Sequence, residues 1–130
     1  MELNWLAVLL AAVSAFVLGG LWYGPLFGKA WMKYSGMTEE RAKQANMAKV
    51  FGLSFLLSFA AAAVFAAFLG PDIDVTQGAT YGFSAGLFWV AGAIGINYLF
   101  EQKPLGLWLV NGGYSTVMFT LFGAIIGAMN

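Results

Sequence analysis

The chain has 130 residues, of which 61% are hydrophobic and only 9% are charged, and its formal net charge is zero. A soluble domain carries about a quarter charged residues, and a globule of this size could not bury so much apolar surface, so we expect lipid to be its solvent. The balanced charge excludes a basic field for nucleic acid, and the absence of cysteine and histidine removes the usual metal ligands, so we expect no nucleic-acid partner and no cofactor.

Four apolar runs follow one another along the chain, and each is long enough to cross roughly 30 Å of hydrocarbon as a helix. They cover approximately residues 3–24, 50–69, 79–100 and 105–129. Continuous runs of this length are among the strongest signals in a single sequence. We predict an all-α fold, an integral membrane four-helix bundle, in which residues 1–130 form a single transmembrane domain.

The first run ends in a segment that is either a working site or the place where a helix leaves the membrane. Pro25 lacks an N–H and clashes with the preceding turn, so a helix that reaches it kinks or ends near Gly24. Gly20, Gly24 and Gly28 leave one side bare for the backbone of a neighbouring helix. We favour a structured exit with a hinge at these four residues.

The polar segment between the first two runs is expected to form a short interfacial or cytoplasmic helix. Thr38 is a suitable N-cap, and Glu39 and Glu40 in the first turn suit the helix dipole. We expect this helix to continue into the second run. Its mixed charges favour a solvated stalk over a docking surface.

Charge and aromatic residues indicate the orientation. All Lys and Arg residues lie in the first and third connections, which the positive-inside rule places in the cytoplasm, with both termini outside and the basic loop 29–49 inside. A plasma (inner) membrane is the expected location. Aromatic side chains near the predicted boundaries are expected to act as interfacial anchors, namely Trp5, Trp22, Tyr23, Trp31 and Trp108.

Small residues recur at every fourth position in each run. Lipid tails do not drive helices together, so such rows favour association by letting backbones approach closely. They would serve either the packing of this bundle or contacts between protomers, and the sequence leaves both open. The candidate packing residues are Ala11, Ala15, Gly19, Ser58, Ala62, Gly78, Gly82, Gly86, Ala124 and Ala128.

The apolar runs contain no ionisable residue of the Asp, Glu, Lys, Arg or His types. This counts against proton coupling and against catalysis, so we expect no enzyme. Polar residues remain, and the amides of Asn97 and Asn111 are the most costly to bury. With Thr116 and Thr120 they are candidates for a polar vestibule, although the simpler interpretation is that the amides bond each other or a broken backbone.

Three motifs carry a family resemblance: Asn4-Trp5, the block Trp22-Tyr23-Gly24-Pro25-Leu26-Phe27-Gly28, and Trp31-Met32. With these motifs the chain resembles the family of small membrane proteins called domain of unknown function 1761. The resemblance extends over the whole chain, including the Gly-rich third run and Asn111-Gly112. It implies a lineage and no mechanism, since the family carries no assigned activity.

Two functional hypotheses are favoured by the sequence, and an enzyme that acts on lipid ranks below both. The first is an oligomeric pore or permease that passes a neutral or small solute along the polar residues. The alternative is a non-catalytic accessory or scaffold protein that binds other membrane helices through its small-residue faces. The expected partners are therefore the lipid bilayer and either further copies of the chain or other membrane proteins.

Cysteine-accessibility labelling tests the orientation without background, because the chain has no native cysteine. We expect Gln44→Cys, in the basic connection, to react with a membrane-impermeant maleimide only after cells are opened. Asp72→Cys, in the second connection, should react in intact cells. The opposite pattern would place residues 29–49 outside and reverse the topology.

Overall fold

The computed structural model describes residues 3–130, and these residues form helices joined by short connections. In chain order the elements are α1 (Trp5–Leu21), a first π-helical segment (Trp22–Leu26), α2 (Gly28–Ser35), α3 (Glu39–Lys43), α4 (Met47–Leu69), α5 (Val75–Ser84), a second π-helical segment (Ala85–Ala91), α6 (Gly92–Phe100) and α7 (Leu105–Met129). The expectation of an all-helical fold is confirmed for this part of the chain.

Four continuous helical stretches are long and apolar enough to cross a membrane. We call them the first to fourth spans, and they are Trp5–Leu26, Met47–Leu69, Val75–Phe100 and Leu105–Met129. The second and third spans begin a few residues before the corresponding apolar runs. Side-chain caps explain these starts, because the Asn46 amide oxygen accepts the Lys49 N–H and Asp74 forms a reciprocal capping box with Gln77.

The connection between the first two spans contains two short helices where one was expected. Gly36, with φ of +76°, ends α2 in the left-handed conformation that glycine adopts most readily. Thr38 caps α3 as the sequence predicts. The helix does not continue into the second span, because α3 ends at Lys43 and Asn46 starts α4 with a cap of its own.

The first span bends at Pro25 through a π-helical turn. Pro25 has no N–H, and the Phe27 N–H reaches back to the Trp22 carbonyl at 2.8 Å, a spacing of five residues. Gly28 serves this bend, since a Cβ there would lie 2.5 Å from the Tyr23 carbonyl oxygen. An added Cβ at Gly20 or Gly24 would meet nothing within 4 Å, so neither packs on a neighbouring backbone in this chain.

The third and fourth spans touch backbone against backbone. A Cβ at Gly78 would collide with the Gly123 carbonyl, and one at Gly82 would collide with the Phe119 carbonyl. Gly86 continues the same line against the fourth span. Only glycine permits this approach, which brings Cα–H groups to carbonyl oxygens and gains dispersion energy along the whole contact.

The first and second spans complete a core of small side chains. Ala7, Ala11 and Ala15 are fully covered, and Ala62 of the second span lies in the same cluster. Gly19 lies one turn further on and contacts the Tyr114 ring. The other candidate packing positions are less covered: Ser58 and Ala124 are half-buried and Ala128 is exposed.

Asparagine side chains tie the helix ends together at the end of the bundle opposite the basic connections. Asn4 caps the first span through the Ala7 N–H and donates from Nδ2 to the Met129 carbonyl at 3.0 Å. Asn130 donates to the Gly70 carbonyl at 3.1 Å. Terminal carbonyls, which have no partner within their own helix, are satisfied in this way.

Replacing Gly82 by alanine is expected to destabilise the bundle by about 1–3 kcal/mol, because the added methyl group forces the third and fourth spans apart. Gly52→Ala is the matched control, since a Cβ there meets nothing within 4 Å. Thermal unfolding in detergent should show a lower Tm for Gly82→Ala alone. Equal Tm values for the two variants would contradict the close approach.

Candidate functional site: an aromatic cavity

A cavity of about 450 Å³ lies between the first, third and fourth spans, at the end of the bundle that carries the first and third connections. We call it the aromatic cavity, and it is lined by Tyr23, Trp31, Ile94, Tyr98, Asn111, Tyr114 and Ser115. Its volume lies within the range of about 300–1,000 Å³ found for ligand pockets, although it is wide open rather than enclosed. Its composition, mostly apolar with a few polar groups, is also typical of such pockets.

Hydrogen bonds connect three of these residues in one direction. The Tyr23 hydroxyl donates to Asn111 Oδ1 at 2.7 Å, and Asn111 Nδ2 donates to the Tyr98 hydroxyl at 2.8 Å. Tyr98 therefore accepts a bond and retains its own proton for another partner. Bonds in such a chain polarise one another, which makes the terminal hydroxyl a better donor.

Aromatic rings form the walls of the cavity around Tyr23. The Tyr23 and Trp31 ring centroids are 5.8 Å apart with the planes at 80°, and those of Tyr23 and Tyr114 are 5.3 Å apart at 60°. Edge-to-face pairs of this kind add to the stability gained from burial alone. Tyr23, which belongs to the first π-helical segment, is thereby held from two sides.

Glycines make room for the rings that support the cavity. A Cβ at Gly19 would lie 3.4 Å from the Tyr114 hydroxyl oxygen, and that hydroxyl donates to the Ala15 carbonyl at 3.0 Å. A Cβ at Gly113 would lie 2.9 Å from the Trp22 ring. The first and fourth spans are thus joined by a ring from each that lies over a glycine of the other.

Trp108 is another ring that lies over glycines, in this case between the third and fourth spans. Its Nε1 donates to the Ala91 carbonyl at 2.8 Å, at the end of the second π-helical segment. A Cβ at Gly95 would lie 2.8 Å from this Nε1, and one at Gly112 would lie 3.3 Å from it. The indole ring therefore separates the third and fourth spans at this level. Further along the same two spans, glycines bring the backbones together.

The predicted vestibule residues occupy three different environments. Asn111 lines the cavity, whereas Asn97 is exposed and forms no side-chain hydrogen bond within residues 3–130. Thr116 and Thr120 donate to carbonyls four residues earlier in their own helix, at 2.8 and 2.7 Å. The structure therefore brings only Asn111 of the four to the cavity.

The predicted anchors are also placed differently from one another. Trp5 is exposed and lies 6.0 Å from the Phe59 ring in a stacked arrangement. Trp22, Tyr23, Trp31 and Trp108 are half-buried, and the Trp22 Nε1 donates to the Val110 carbonyl at 2.8 Å. A covered indole or phenol needs such a partner, and here the protein supplies it in place of headgroups or water.

Sequence reasoning had not assigned Ile94, Tyr98, Tyr114 or Ser115 to a site. One signal was available for Tyr98, because the four-residue link after Phe100 forces the end of the third span against the start of the fourth. No local pattern identifies Tyr114 as the partner of Tyr23, since residues far apart in sequence meet only through the packing of the first and fourth spans.

The lining of the cavity contains no Asp, Glu, Lys or Arg. Lys29 and Lys33 lie on α2, the helix that also carries Trp31, and Lys33 Nζ is 5.5 Å from the centre of the Tyr34 ring. No group of three or more potential metal-ligating side chains occurs in the part of the chain that the structure describes. The cavity is thus suited to binding through rings and neutral hydrogen-bonding groups.

The fold and cavity together define a helical bundle with four helices suited to a membrane and an open aromatic pocket near one end. The family model described as "Protein of unknown function (DUF1761)" matches residues 6–127, so the chain belongs to this family. The resemblance seen in the sequence is confirmed. Comparison with curated proteins and with solved structures found no match.

Removing the Tyr23 hydroxyl is expected to destabilise the protein, because Tyr23→Phe leaves the half-buried Asn111 Oδ1 without its donor, at a cost of roughly 1–3 kcal/mol. Tyr81→Phe is the control, since Tyr81 is exposed and its hydroxyl forms no hydrogen bond within residues 3–130. Thermal unfolding in detergent should separate the two variants. A Tyr23→Phe protein as stable as Tyr81→Phe would show that the bond contributes nothing.

Proposed function

We propose that this protein is an oligomeric permease for a small neutral solute, which enters the aromatic cavity from the cytoplasm. The observation that carries the proposal is the cavity itself, with a polar chain of Tyr23, Asn111 and Tyr98 set among aromatic rings. Apolar walls with a few oriented polar groups are the usual composition of a small-molecule site.

The proposed orientation follows from charge. We place the protein in the plasma (inner) membrane, as a multi-pass protein with both termini outside and residues 29–49 in the cytoplasm. The confinement of lysine and arginine to the first and third connections supports this arrangement. The cavity lies near the same end of the bundle, so it would lie on the cytoplasmic side.

A path through a single chain is blocked by the contact of the third and fourth spans. Gly78 and Gly82 lie against carbonyls of the fourth span, and the Thr116 and Thr120 hydroxyls are bonded within their own helix. The rest of the path would therefore lie between copies. Thr80 and Ser84 of the third span are exposed, and although their hydroxyls donate to carbonyls of their own helix, their oxygens remain available as acceptors at such an interface.

The proposal involves binding and passage without covalent chemistry. The hydroxyl groups that line the cavity have no carboxylate, imidazole or amine beside them in the lining. A serine or tyrosine in such surroundings lacks the adjacent base that activates a nucleophile.

An accessory or scaffold role is the second candidate function. A second groove on the surface of the bundle favours it. Phe65, Phe68, Tyr81, Phe88 and Trp89 line this apolar groove of about 420 Å³ between the second and third spans. Phe68 and Trp89 are 80% and 75% exposed. A helix of another membrane protein could fill the groove, as could a lipid chain.

Blocking the cavity tests the permease. Ile94 lines the cavity and Ile96 is exposed outside it, so Ile94→Trp should fill the cavity while Ile96→Trp leaves it open. Proteoliposomes would be challenged with glycerol, urea or nicotinamide, and osmotic reswelling followed by stopped-flow light scattering. We expect at least one solute to enter faster than in empty liposomes, and Ile94→Trp to slow its entry about tenfold or more.

The control and the contrary results are clear in this assay. Ile96→Trp should match the unmodified protein, because it adds the same indole on a surface away from the cavity. Reswelling no faster than in empty liposomes for every solute would overturn the permease. Equal slowing by the two tryptophan variants would show that the cavity is not on the path.

A further inference from the structure

The lining of the aromatic cavity offers no charged side chain to pair with an ion of either sign. Ring faces carry the negative part of the aromatic quadrupole, so the walls disfavour an anion. A cation would be attracted by the faces but would find no carboxylate in the lining, and Lys29 and Lys33 lie on the helix that carries Trp31. A neutral molecule meets neither penalty.

The shape of the cavity favours a flat ligand. Trp31 and Tyr114 stand at 80° and 60° to Tyr23, so the three rings form walls that meet at steep angles. A planar ring can stack on one wall while its edge meets another, which is the arrangement that aromatic groups prefer. A volume of about 450 Å³ accommodates a body of one or two rings.

The lining offers hydrogen-bond donors to an acceptor on that ligand. The Tyr23 hydroxyl donates to Asn111 and the Tyr114 hydroxyl donates to the Ala15 carbonyl. The Tyr98 hydroxyl accepts from Asn111, so its own proton is available to another acceptor. Ser115 forms no side-chain hydrogen bond within the described residues. Within residues 3–130, no fully buried side-chain oxygen or nitrogen lacks a hydrogen-bond partner, so the Ser115 hydroxyl oxygen is not fully buried. Because Ser115 lines the cavity, a ligand there can reach this oxygen. A carbonyl oxygen matches these two hydroxyl donors.

We propose that the aromatic cavity binds a neutral, planar heteroaromatic molecule that carries a carbonyl group, with the ring among Tyr23, Trp31 and Tyr114 and the carbonyl accepting from Tyr98. This inference rests on the proposed function only in assuming that the cavity takes up a solute. It adds the chemical class of the solute and the residue that recognises its oxygen.

Four probes that share one ring test the class. Nicotinamide is neutral and carries a carbonyl, 3-methylpyridine lacks the carbonyl, nicotinate is the anion and 1-methylnicotinamide is the cation. Equilibrium dialysis against the full chain in nanodiscs, corrected with empty nanodiscs, measures their binding. We expect nicotinamide to bind about tenfold or more tightly than each of the other three.

Two variants test the assigned donor. Tyr98→Phe should weaken nicotinamide binding about tenfold and leave 3-methylpyridine unchanged, because only the first carries the carbonyl that is assigned to the Tyr98 hydroxyl. Tyr81→Phe removes a hydroxyl outside the cavity and should change neither. Ser115→Ala provides an independent variant of the lining, with a smaller loss for nicotinamide expected, should Tyr98→Phe fail to fold.

The outcomes separate this inference from the permease. Nicotinamide binding that depends on Tyr98, without any solute flux, supports the inference and overturns the permease. Flux of glycerol or urea without nicotinamide binding does the reverse. Tighter binding of 1-methylnicotinamide or nicotinate, or equal binding of nicotinamide and 3-methylpyridine, would overturn the inference.

Discussion

The third span lies against the fourth with backbone touching backbone, and the first span packs against the fourth as well, with the second span packed mainly on the first. Hydrophobic surface drives helices together in water, but lipid offers no such gain, so association depends on close packing and polar contacts. Gly78, Gly82 and Gly123 supply the close packing, because a Cβ at any of them would overlap a carbonyl of the other span. The alanines of the first span pack against the fourth and second spans and form the small-residue core.

Glycine serves a second purpose nearer the basic connections, where it accommodates rings. Gly113 makes room for Trp22, Gly19 for Tyr114, and Gly95 for Trp108. Each ring donates its N–H or O–H to a backbone carbonyl, so the polar groups of these rings have hydrogen-bond partners without water. Rings between helices hold the helices further apart than glycine contacts do, and the aromatic cavity lies where this change of spacing occurs.

Local chemistry made much of the fold predictable. Apolar runs located the four helices, Pro25 located the bend, and Thr38 located a helix start. The failures have physical causes. Asn46 was not recognised as a second cap, so α3 was expected to continue into the second span. The cavity was beyond prediction because the pairing of Tyr23 with Asn111 depends on how the first and fourth spans are rotated, and small-residue rows on every span permit several rotations.

The distribution of satisfied polar groups explains why the open site lies at one end. In the middle of the fourth span, the Thr116 and Thr120 hydroxyls donate to their own helix, so their protons are not available to a solute. At the end away from the basic connections, the amide of Asn4 is committed to helix caps. Near the basic connections, Tyr23 lies in the π-helical turn at Pro25, and its hydroxyl donates to Asn111. Asn111 in turn donates to the Tyr98 hydroxyl, whose own proton remains available to another acceptor. The π-helical turn at Pro25 is therefore also what brings Tyr23 into the group of rings and hydroxyl groups that lines the aromatic cavity.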